Sequence, residues 1–188
     1  RRDLEFETLA RAFDDMEGRI RRQMDTLRTL ARIDRLILER VPVDAVVDVV
    51  IARIHEISPV GGVGVSLLGA DPQMPKRYFL RMRDQRPLEP GSDPEDPLPE
   101  AAYELEPGCW TPMEEVGAGL GDHGVREVQV LAVGHRDQSR AWVALACEAG
   151  RPPDEDVLLE ARELAERIAV ALAVEEHENL LLSQARLD

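Results

Sequence analysis

The sequence predicts an α+β fold in which an antiparallel sheet carries helices on one face. Long helical patterns stand at both ends, and two pairs of alternating strands lie between them. Short turns join the strands of each pair, which favours antiparallel pairing. Helices from both ends of the chain can cover one sheet face. The other face is then left to an irregular segment between the strand pairs, and a pocket would form there.

The first predicted element is one long helix, roughly Asp3 to Arg40, which contains no proline and no turn cluster. Its apolar seam advances by alternating steps of four and three residues, which is typical of a coiled coil. The seam has two polar members and comprises Leu9, Phe13, Met16, Ile20, Gln23, Leu27, Leu30, Asp34 and Ile37. The first half either contacts another helix or packs on its own domain. From Leu30 onward we expect packing on its own domain, because Ile33 and Leu36 widen the stripe.

A second helix and the first strand pair follow. The break is Val41-Pro42-Val43-Asp44, and Asp44 or the residues just before it can cap a helix over about Asp44–Ile57. Ser58-Pro59 ends this helix. Apolar residues then alternate at 63–67 and at 78–82, with a turn at 69–75 between the two strands.

The segment from Arg86 to Gly124 is rich in proline, glycine and acidic residues. Within it we expect a short helix at Pro99–Tyr103 and a short strand at Cys109–Met113. Irregular segments of this length are uncommon in compact domains and often carry function. The string Gly119-Leu120-Gly121-Asp122-His123-Gly124 resembles a dinucleotide-binding loop, but Pro112 and acidic residues precede it, and a strand rather than a helix follows it. We interpret this string as a flexible loop.

Regular structure returns with strands at Arg126–Val133 and Arg140–Cys147, joined by a hairpin at 135–138. The last helix begins after Pro153, with Asp154 as its predicted cap. Its apolar residues again step by three and four, through Leu158, Ala161, Ala165, Ile168 and Leu172. Past Glu175 the seam loses its phase, and it resumes around Leu180.

Composition restricts the classes of function. The formal net charge is -14, which disfavours binding to nucleic acid or to an anionic membrane surface. The two cysteines form neither a metal cluster nor a disulfide framework, and they fit a reducing compartment. No apolar run approaches the roughly 20 residues that span a bilayer. The sequence starts and stops inside predicted helices, so we expect flanking segments that hold a sensor and an output.

Neither catalytic nor metal-ligating residues are predicted. The four histidines, at 55, 123, 135 and 177, lack the spacing of a zinc helix, and no cofactor is implied. An unknown small ligand could bind among polar residues near the irregular segment. The candidates are Arg81, Arg83, Trp110, His123 and Arg126. The alternative is that these are surface residues of a domain that only relays a signal.

Two stretches resemble the GAF domain family. Leu30 to Leu68 is similar to the opening of GAF domains, and Val128 to Leu172 is similar to their closing strands and helix. Ala141 stands where the family often has glycine. The resemblance implies a GAF-like, and so PAS-like, domain at 29–173, flanked by long coiled-coil signalling helices at 1–28 and 174–188. It brings no catalytic signature with it.

The N-terminal stretch from Glu5 to Met16 resembles the second helix of HAMP domains, with Glu5, Leu9, Ala12-Phe13 and Met16 at the recurring positions. Leu4 departs from the acidic residue of that family, and the first HAMP helix is absent. The resemblance implies an upstream transmembrane segment and a parallel homodimer. We expect the contacts of this dimer at Leu9, Phe13, Met16, Ile20, Leu27, Leu30, Leu172 and Leu180.

The C-terminal stretch from Leu180 to Asp188 resembles the linker that leads into GGDEF diguanylate cyclase domains. The sequence therefore predicts a cytoplasmic sensory relay and dimerisation module of a bacterial inner-membrane protein. Its output would be a diguanylate cyclase in the same chain, and a histidine kinase is the rival output. Two alternatives are a GAF receptor for a small molecule and, less favoured because only two cysteines are present, a GAF-fold sulfoxide reductase.

Overall fold

The computed structural model describes residues 2–71, 73–84, 94–134, 140–148 and 150–186. Among these residues, four α-helices, one 3-10 helix and five strands follow one another in the predicted order, apart from one short helix that the sequence does not predict. They are α1 (Arg2–Leu38), α2 (Val43–Ile57), β1 (Gly62–Leu68), β2 (Arg77–Met82), the 3-10 helix (Glu100–Glu104), β3 (Trp110–Met113), α3 (Ala118–Gly121), β4 (Glu127–Gly134), β5 (Arg140–Cys147) and α4 (Glu155–Ala185). The predicted hairpin at 135–138 lies outside the described residues, as do 86–93 of the irregular segment and Leu187 and Asp188 of the predicted linker.

The five strands form one antiparallel sheet in the order β2-β1-β5-β4-β3. Strand β1 lies between β2 and β5, and it pairs with β5 from Gly62 opposite Ala146 to Leu68 opposite Arg140. The first and the last strand of the chain are therefore neighbours at the centre of the sheet. This arrangement confirms the predicted α+β class with its antiparallel sheet.

The helices cover one face of the sheet, which we call the helix face. Every second residue of the central strands points to it, and these residues are large and aliphatic, such as Val65, Leu131 and Val143. They pack against α2, α4 and the last part of α1 in one buried core. The predicted placement of both terminal helices on one face is confirmed.

The opposite face, here called the distal face, is covered by residues 94–126. Its core contains Leu98, Ala102 and Leu120 from that segment, packed on the distal residues of β4 and β5. These sheet residues are Val128, Val130, Ala132, Trp142, Ala144 and Ala146. The Gly119–Gly124 string, predicted as a flexible loop, instead begins with the short helix α3, because Leu120 is fully buried on this face.

Within the domain α1 and α4 run in the same direction. The hydroxyl of Thr26 binds Glu160, Asp34 lies 3.4 Å from Arg167, and Arg40 lies 3.0 Å from Glu178. Both partners in these contacts advance along the chain together, so the helices are parallel neighbours. Residues before Thr26 and after Glu178 consequently extend from opposite ends of the domain.

The connection between α1 and α2 differs from the predicted cap. Arg40 adopts a left-handed conformation with φ 56°, and the amide of Val41 donates to the carbonyl of Leu36 at 3.0 Å, which closes the end of α1. Pro42 is the residue before α2, and α2 has no side-chain cap of its own. Asp44 therefore does not cap this helix. Glu175 of α4 takes that role, since its carboxylate accepts the Val43 amide at 3.1 Å.

Two of the residues predicted to contact a partner are used by the domain itself. Leu30 is 7% exposed and Leu172 is 2% exposed, and both belong to the core on the helix face. The apolar stripe of α1 therefore turns inward where α1 meets the sheet. The polar seam members Asp34 and Glu175 are likewise bound within the domain, to Arg167 and Arg77.

Among the described residues no helix is long and apolar enough to cross a bilayer.

Candidate functional site

The distal face is closed by the protein's own chain. Pro97 lies directly over Gly64, so closely that a Cβ on residue 64 would stand 2.5 Å from the Pro97 Cβ. Leu120 contacts the same point from the other side. A glycine is needed here because any side chain would occupy the space that Pro97 fills. Side chains of the irregular segment thus take the volume above β1.

The covering segment is also locked to itself by close backbone contacts. A Cβ on Gly117 would stand 2.4 Å from the Leu98 nitrogen, and one on Gly119 would stand 2.4 Å from the Glu95 carbonyl oxygen. The amide of Gly119 donates to the carbonyl of Asp96 at 3.0 Å. Residues 95–98 and 117–119 therefore form one interlocked cover over the sheet.

A polar network fastens this cover to β1. The hydroxyl of Tyr103 donates to Asp96, 2.8 Å from each carboxylate oxygen, and lies 2.8 Å from the Ser66 hydroxyl. Asp96 also accepts the Leu98 amide at 3.0 Å. The ammonium of Lys76 lies 3.4 Å from the centre of the Tyr103 ring, a cation–π contact. Burial, helped by the Asp96 carboxylate, raises the pKa of Tyr103 above its ordinary value, so its hydroxyl stays a hydrogen-bond donor.

Trp142 is the largest side chain in the distal core and is fully buried. Its ring meets Tyr103 edge-on with 4.9 Å between ring centroids, and Arg140 lies 4.6 Å above it. The indole N–H finds no acceptor among the described residues. An unmet buried donor costs about 1–3 kcal/mol. An additional hydrogen-bond acceptor could satisfy this buried donor.

The structure does not bring the five predicted ligand-binding residues together. Arg81 lies on β2 and Trp110 on β3, which are opposite edges of the sheet, about 19 Å apart at four strand spacings. Both project towards the helices instead of the distal face. Arg81 pairs with Asp48 of α2 at 3.2 Å, and the Trp110 indole donates to the carbonyl of Leu158 in α4 at 2.7 Å.

The remaining three candidates lie at the same end of the sheet but apart from each other. Arg83 donates to backbone carbonyls at the end of α2, those of His55, Ser58 and Val60. His123 and Arg126 are exposed in the connection between α3 and β4. Their spacing in the sequence carried no information on the face to which each side chain projects.

The first part of α1 presents an uncovered apolar stripe. Leu9 and Phe13 are 67% and 62% exposed, and the stripe continues through Met16, Ile20 and Leu27. It ends at Leu30, which is buried in the domain. At the other end of the molecule, α4 exposes three consecutive leucines, Leu180, Leu181 and Leu182. Both surfaces belong to the parts of the helices that extend beyond the domain.

Where α4 leaves the domain, two glutamates hold it to the sheet and to α2. Glu175 accepts Arg77 at 2.6 Å, and Arg77 also binds Asp44 at 3.1 Å. Glu176 accepts the amide of Ala70 at 2.9 Å, and Gly69 beside it leaves room for the carboxylate. We call these contacts the C-terminal clasp.

Where α1 joins the domain, a guanidinium holds three helices together. Arg53 of α2 is 8% exposed. It binds Glu160 of α4 at 3.0 Å, Glu56 at 3.1 Å and the Thr26 hydroxyl of α1 at 3.0 Å. We call these contacts the N-terminal clasp.

The sequence analysis predicts neither clasp, although one signal in the sequence points to the N-terminal clasp. Arg53 follows Val46 by seven residues and Val50 by three, so it stands in the buried stripe of α2. A lone arginine in such a stripe needs buried acceptors. The acceptors themselves, Thr26 and Glu160, are distant in sequence and carry no comparable signal. Within the described part of the chain, no group of three or more acidic, histidine or cysteine side chains could hold a metal ion.

Comparisons with known proteins bear on the fold. A scan against protein-family models gives no match, and neither does a search of curated proteins. Solved structures do match. The phycoerythrobilin-bound GAF domain of a cyanobacterial phytochrome superposes with a TM-score of 0.56 and 16% identity, over 82% of this chain and 97% of that one.

Two further GAF domains agree with this result. One, from an Acinetobacter phosphoenolpyruvate-protein phosphotransferase, has a TM-score of 0.52 and 17% identity, and the match covers 80% of this chain and 92% of that one. The other, from a two-component sensor histidine kinase of Bacillus halodurans, has a TM-score of 0.50 and 12% identity, over 75% and 97%. The chain therefore has the fold of a GAF domain.

Proposed function

We propose that this chain is a signal-relay and dimerisation module, in which a second copy covers the apolar stripe of α1 and the domain passes changes in α1 to α4. The observation that carries the proposal is the stripe itself. Leu9, Phe13, Met16, Ile20 and Leu27 repeat at coiled-coil spacing, are exposed, and stop where the domain begins. Stripes of this kind on a protein surface are typical of interaction sites.

The course of the helices supports the relay. Because α1 and α4 are parallel neighbours, a parallel dimer through α1 would place the two α4 helices of the dimer side by side as well. Beyond the domain, α4 exposes Leu180, Leu181 and Leu182, which the α4 of the partner would cover. The GAF domains of the matched sensor histidine kinase and phytochrome belong to signalling proteins, which is consistent with a sensory role.

The finer assignment rests on the resemblances at the two ends of the sequence. We propose an upstream transmembrane segment, a location on the cytoplasmic side of the inner membrane, and a diguanylate cyclase as the downstream output in the same chain. A histidine kinase is the alternative output. This fragment would have no enzymatic activity of its own.

Disulfide crosslinking tests the dimer. In a Cys109→Ser, Cys147→Ser background, Phe13→Cys and Ile20→Cys should each form a symmetric disulfide under mild oxidation. Arg11→Cys is the matched control, because position 11 lies about 200° around the helix from Leu9 and is also exposed. Equal crosslinking at positions 11 and 13, or a monomer in analytical ultracentrifugation, contradicts the proposed dimer.

A fusion tests the output. Joined through Leu180–Asp188 to a GGDEF domain, the chain should support c-di-GMP synthesis that Phe13→Glu reduces several-fold, because a charge in the seam separates the helices. Arg11→Glu should leave synthesis unchanged. Insensitivity to Phe13→Glu excludes dimer-dependent control of a cyclase, and the same fusion to a kinase domain then tests the alternative.

A receptor for a small molecule is the second candidate, and the Trp142 indole favours it. A ligand with a hydrogen-bond acceptor could bind this buried N–H after displacing Pro97 and Leu98. A thermal-shift screen against nucleotides and metabolites distinguishes the two functions. A compound that raises the unfolding temperature of the unaltered chain, and does so less for Trp142→Phe, establishes the receptor. The relay proposal expects no such compound.

A further inference from the structure

We propose that Arg53 is a positioning residue that fixes the rotation of α1 relative to α4, so that the two helices turn together. The proposal rests on the proposed relay function and names the contact through which the relay would act.

Arg53 is bound from three directions. Its Nε lies 3.1 Å and its Nη2 3.0 Å from the same carboxylate oxygen of Glu160 in α4. Nη1 donates to Glu56 at 3.1 Å. On the α1 side, Nη2 donates to the Thr26 hydroxyl at 3.0 Å and to the carbonyl of Arg22 at 3.4 Å. All three helices of the helix face therefore meet at one charged group.

The contact stands at the point where α1 changes its surroundings. Leu27 is exposed and Leu30 is buried, so Thr26 lies at the boundary between the free part of α1 and the part packed on the domain. The hydroxyl of Thr26 also lies 2.5 Å from Glu160, which joins α1 to α4 directly. A rotation of the free part therefore reaches the domain at the contacts of Arg53 with Arg22 and Thr26.

The geometry makes the contact sensitive to rotation. A side chain at the helix surface, roughly 5 Å from the axis, moves about 2.6 Å when the helix turns by about 30°. Such a movement breaks hydrogen bonds of 3.0 Å unless Arg53 and Glu160 follow Thr26. Leaving a buried guanidinium with unmet donors is costly, so the energy favours movement of Glu160, and with it α4.

Stability alone does not account for a charged group at this position. Replacement of a buried ion pair by apolar residues of similar volume is often neutral or stabilising. The apolar alternative would let α1 and α4 slide past each other, whereas directed hydrogen bonds select one relative rotation. We therefore infer that the contact serves to set the register of the helices.

The test imposes known rotations on α1. A parallel leucine zipper is fused to the N-terminus of the full chain in phases that differ by one residue, about 100° each. The background is Cys109→Ser, Cys147→Ser, and Leu181→Cys reports by disulfide formation between the two α4 helices. We expect crosslinking to vary several-fold with the phase in the otherwise unaltered chain and to become independent of phase in Thr26→Val.

Thr29→Val is the matched control. Thr29 and Thr26 each donate back to the carbonyl four residues earlier, but only Thr26 also binds Arg53 and Glu160. Thr29→Val should keep the phase dependence. The double variant Arg53→Met, Glu160→Met leaves neither buried charge unpaired and should remove the dependence even if Thr26→Val proves unstable.

The outcomes separate the two proposals. Phase dependence that survives in both Thr26→Val and the double variant overturns the role of Arg53 and leaves the relay intact. Crosslinking that ignores the phase in the chain without these substitutions overturns the relay, and the role of Arg53 falls with it. Loss of dependence in Thr26→Val and its retention in Thr29→Val support both.

Discussion

The two faces of the sheet use the same strands but differ in how many small residues they carry. Towards the helices β1, β4 and β5 present Val65, Leu131 and Val143, whereas towards the irregular segment they present Gly64, Ala132 and Ala144. Helices stand off a sheet by roughly 10 Å and need large side chains to fill that space. An extended stretch of chain, such as the one at Pro97, can lie directly on small residues.

The difference teaches that a GAF-type sheet can close its distal face with its own chain where small residues such as Gly64 leave room for it. Pro97 and Leu120 then supply the bulk from above, and Tyr103 and Asp96 supply the polar fastening. The helix face is held by apolar volume, while the distal face depends on close backbone contacts and one hydrogen-bond network.

The largest expected effect is on the helix face. Leu164 is fully buried between α4 and the sheet, and Leu164→Ala should lower the free energy of unfolding by about 3–4 kcal/mol because it leaves a cavity. Urea denaturation measures this change. Leu159→Ala, on the exposed side of the same helix, should change stability by less than about 0.5 kcal/mol. Similar losses at both positions would contradict the packing described for α4.

On the distal face, the addition of a single methyl group should lower the free energy of unfolding. Gly117→Ala places a Cβ against the Leu98 backbone, which cannot move aside as a side chain can, and we expect a loss of about 2–3 kcal/mol. Binding of a hydrophobic dye should rise as the cover loosens. Gly121→Ala is the control, because its Cβ would meet nothing within 4 Å. If both substitutions are neutral, residues 95–98 do not lie against Gly117.

Loss of the hydrogen bonds that fasten the cover to β1 should lower the free energy of unfolding by less than Leu164→Ala or Gly117→Ala. Tyr103→Phe removes the hydroxyl that joins Asp96 to Ser66, and hydrogen bonds to charged groups contribute about 1.5–3 kcal/mol. We expect a loss near the lower end of that range, since Asp96 keeps the Leu98 amide. The ring contact with Trp142 survives, so Trp fluorescence should change little. A loss equal to that of Tyr103→Ala would show that the hydroxyl, not the ring, holds the cover.

The smallest effect is a pH dependence at the rim of the helix face. Burial, with help from the charges of Arg83 and Arg81, lowers the pKa of His55 below its ordinary value of 6.5, although a hydrogen bond to the Arg81 carbonyl opposes this. The folded state thus binds fewer protons than the unfolded state. Its stability is complete above pH 6.5 and falls as the pH drops below that value.

The His55→Gln variant isolates this contribution. Urea midpoints of the unaltered chain and the variant should differ more at pH 7.5 than at pH 5.5, and the difference should shrink as the pH falls. The carboxylates common to both proteins cancel in the comparison. Parallel pH profiles would show that the His55 pKa is the same in the folded and unfolded states.

The helix face could be predicted because its signals are local. The spacing of Leu158, Ala161 and Ile168 predicts one buried stripe on α4, and the alternation in β1 predicts that one face of this strand lies in the core. The order of helices and strands follows from such patterns. Leu30 and Leu172 show the limit of such a prediction, because both are buried in the domain itself. The same spacing fits a residue buried in its own domain and a residue buried against a partner chain.

The distal face could not be predicted in the same way. Its packing depends on contacts between Gly117 and Leu98 and between Gly64 and Pro97, which have no periodic pattern. The five candidate ligand residues were chosen by chemistry and sequence position. Neither property reveals that Trp110 projects towards α4 or that Arg81 pairs with Asp48.

The parallel course of α1 and α4 has a consequence for how proteins of this kind grow. Because the chain enters at one end and leaves at the other in the same direction, a unit can be added to a linear series without reversing the path of the backbone. The contacts between the two segments run from Thr26, opposite Glu160, to Arg40 just after α1, opposite Glu178. If α4 of one unit continued as α1 of the next, copies would repeat along one axis at a fixed spacing, and duplication alone would lengthen such a chain.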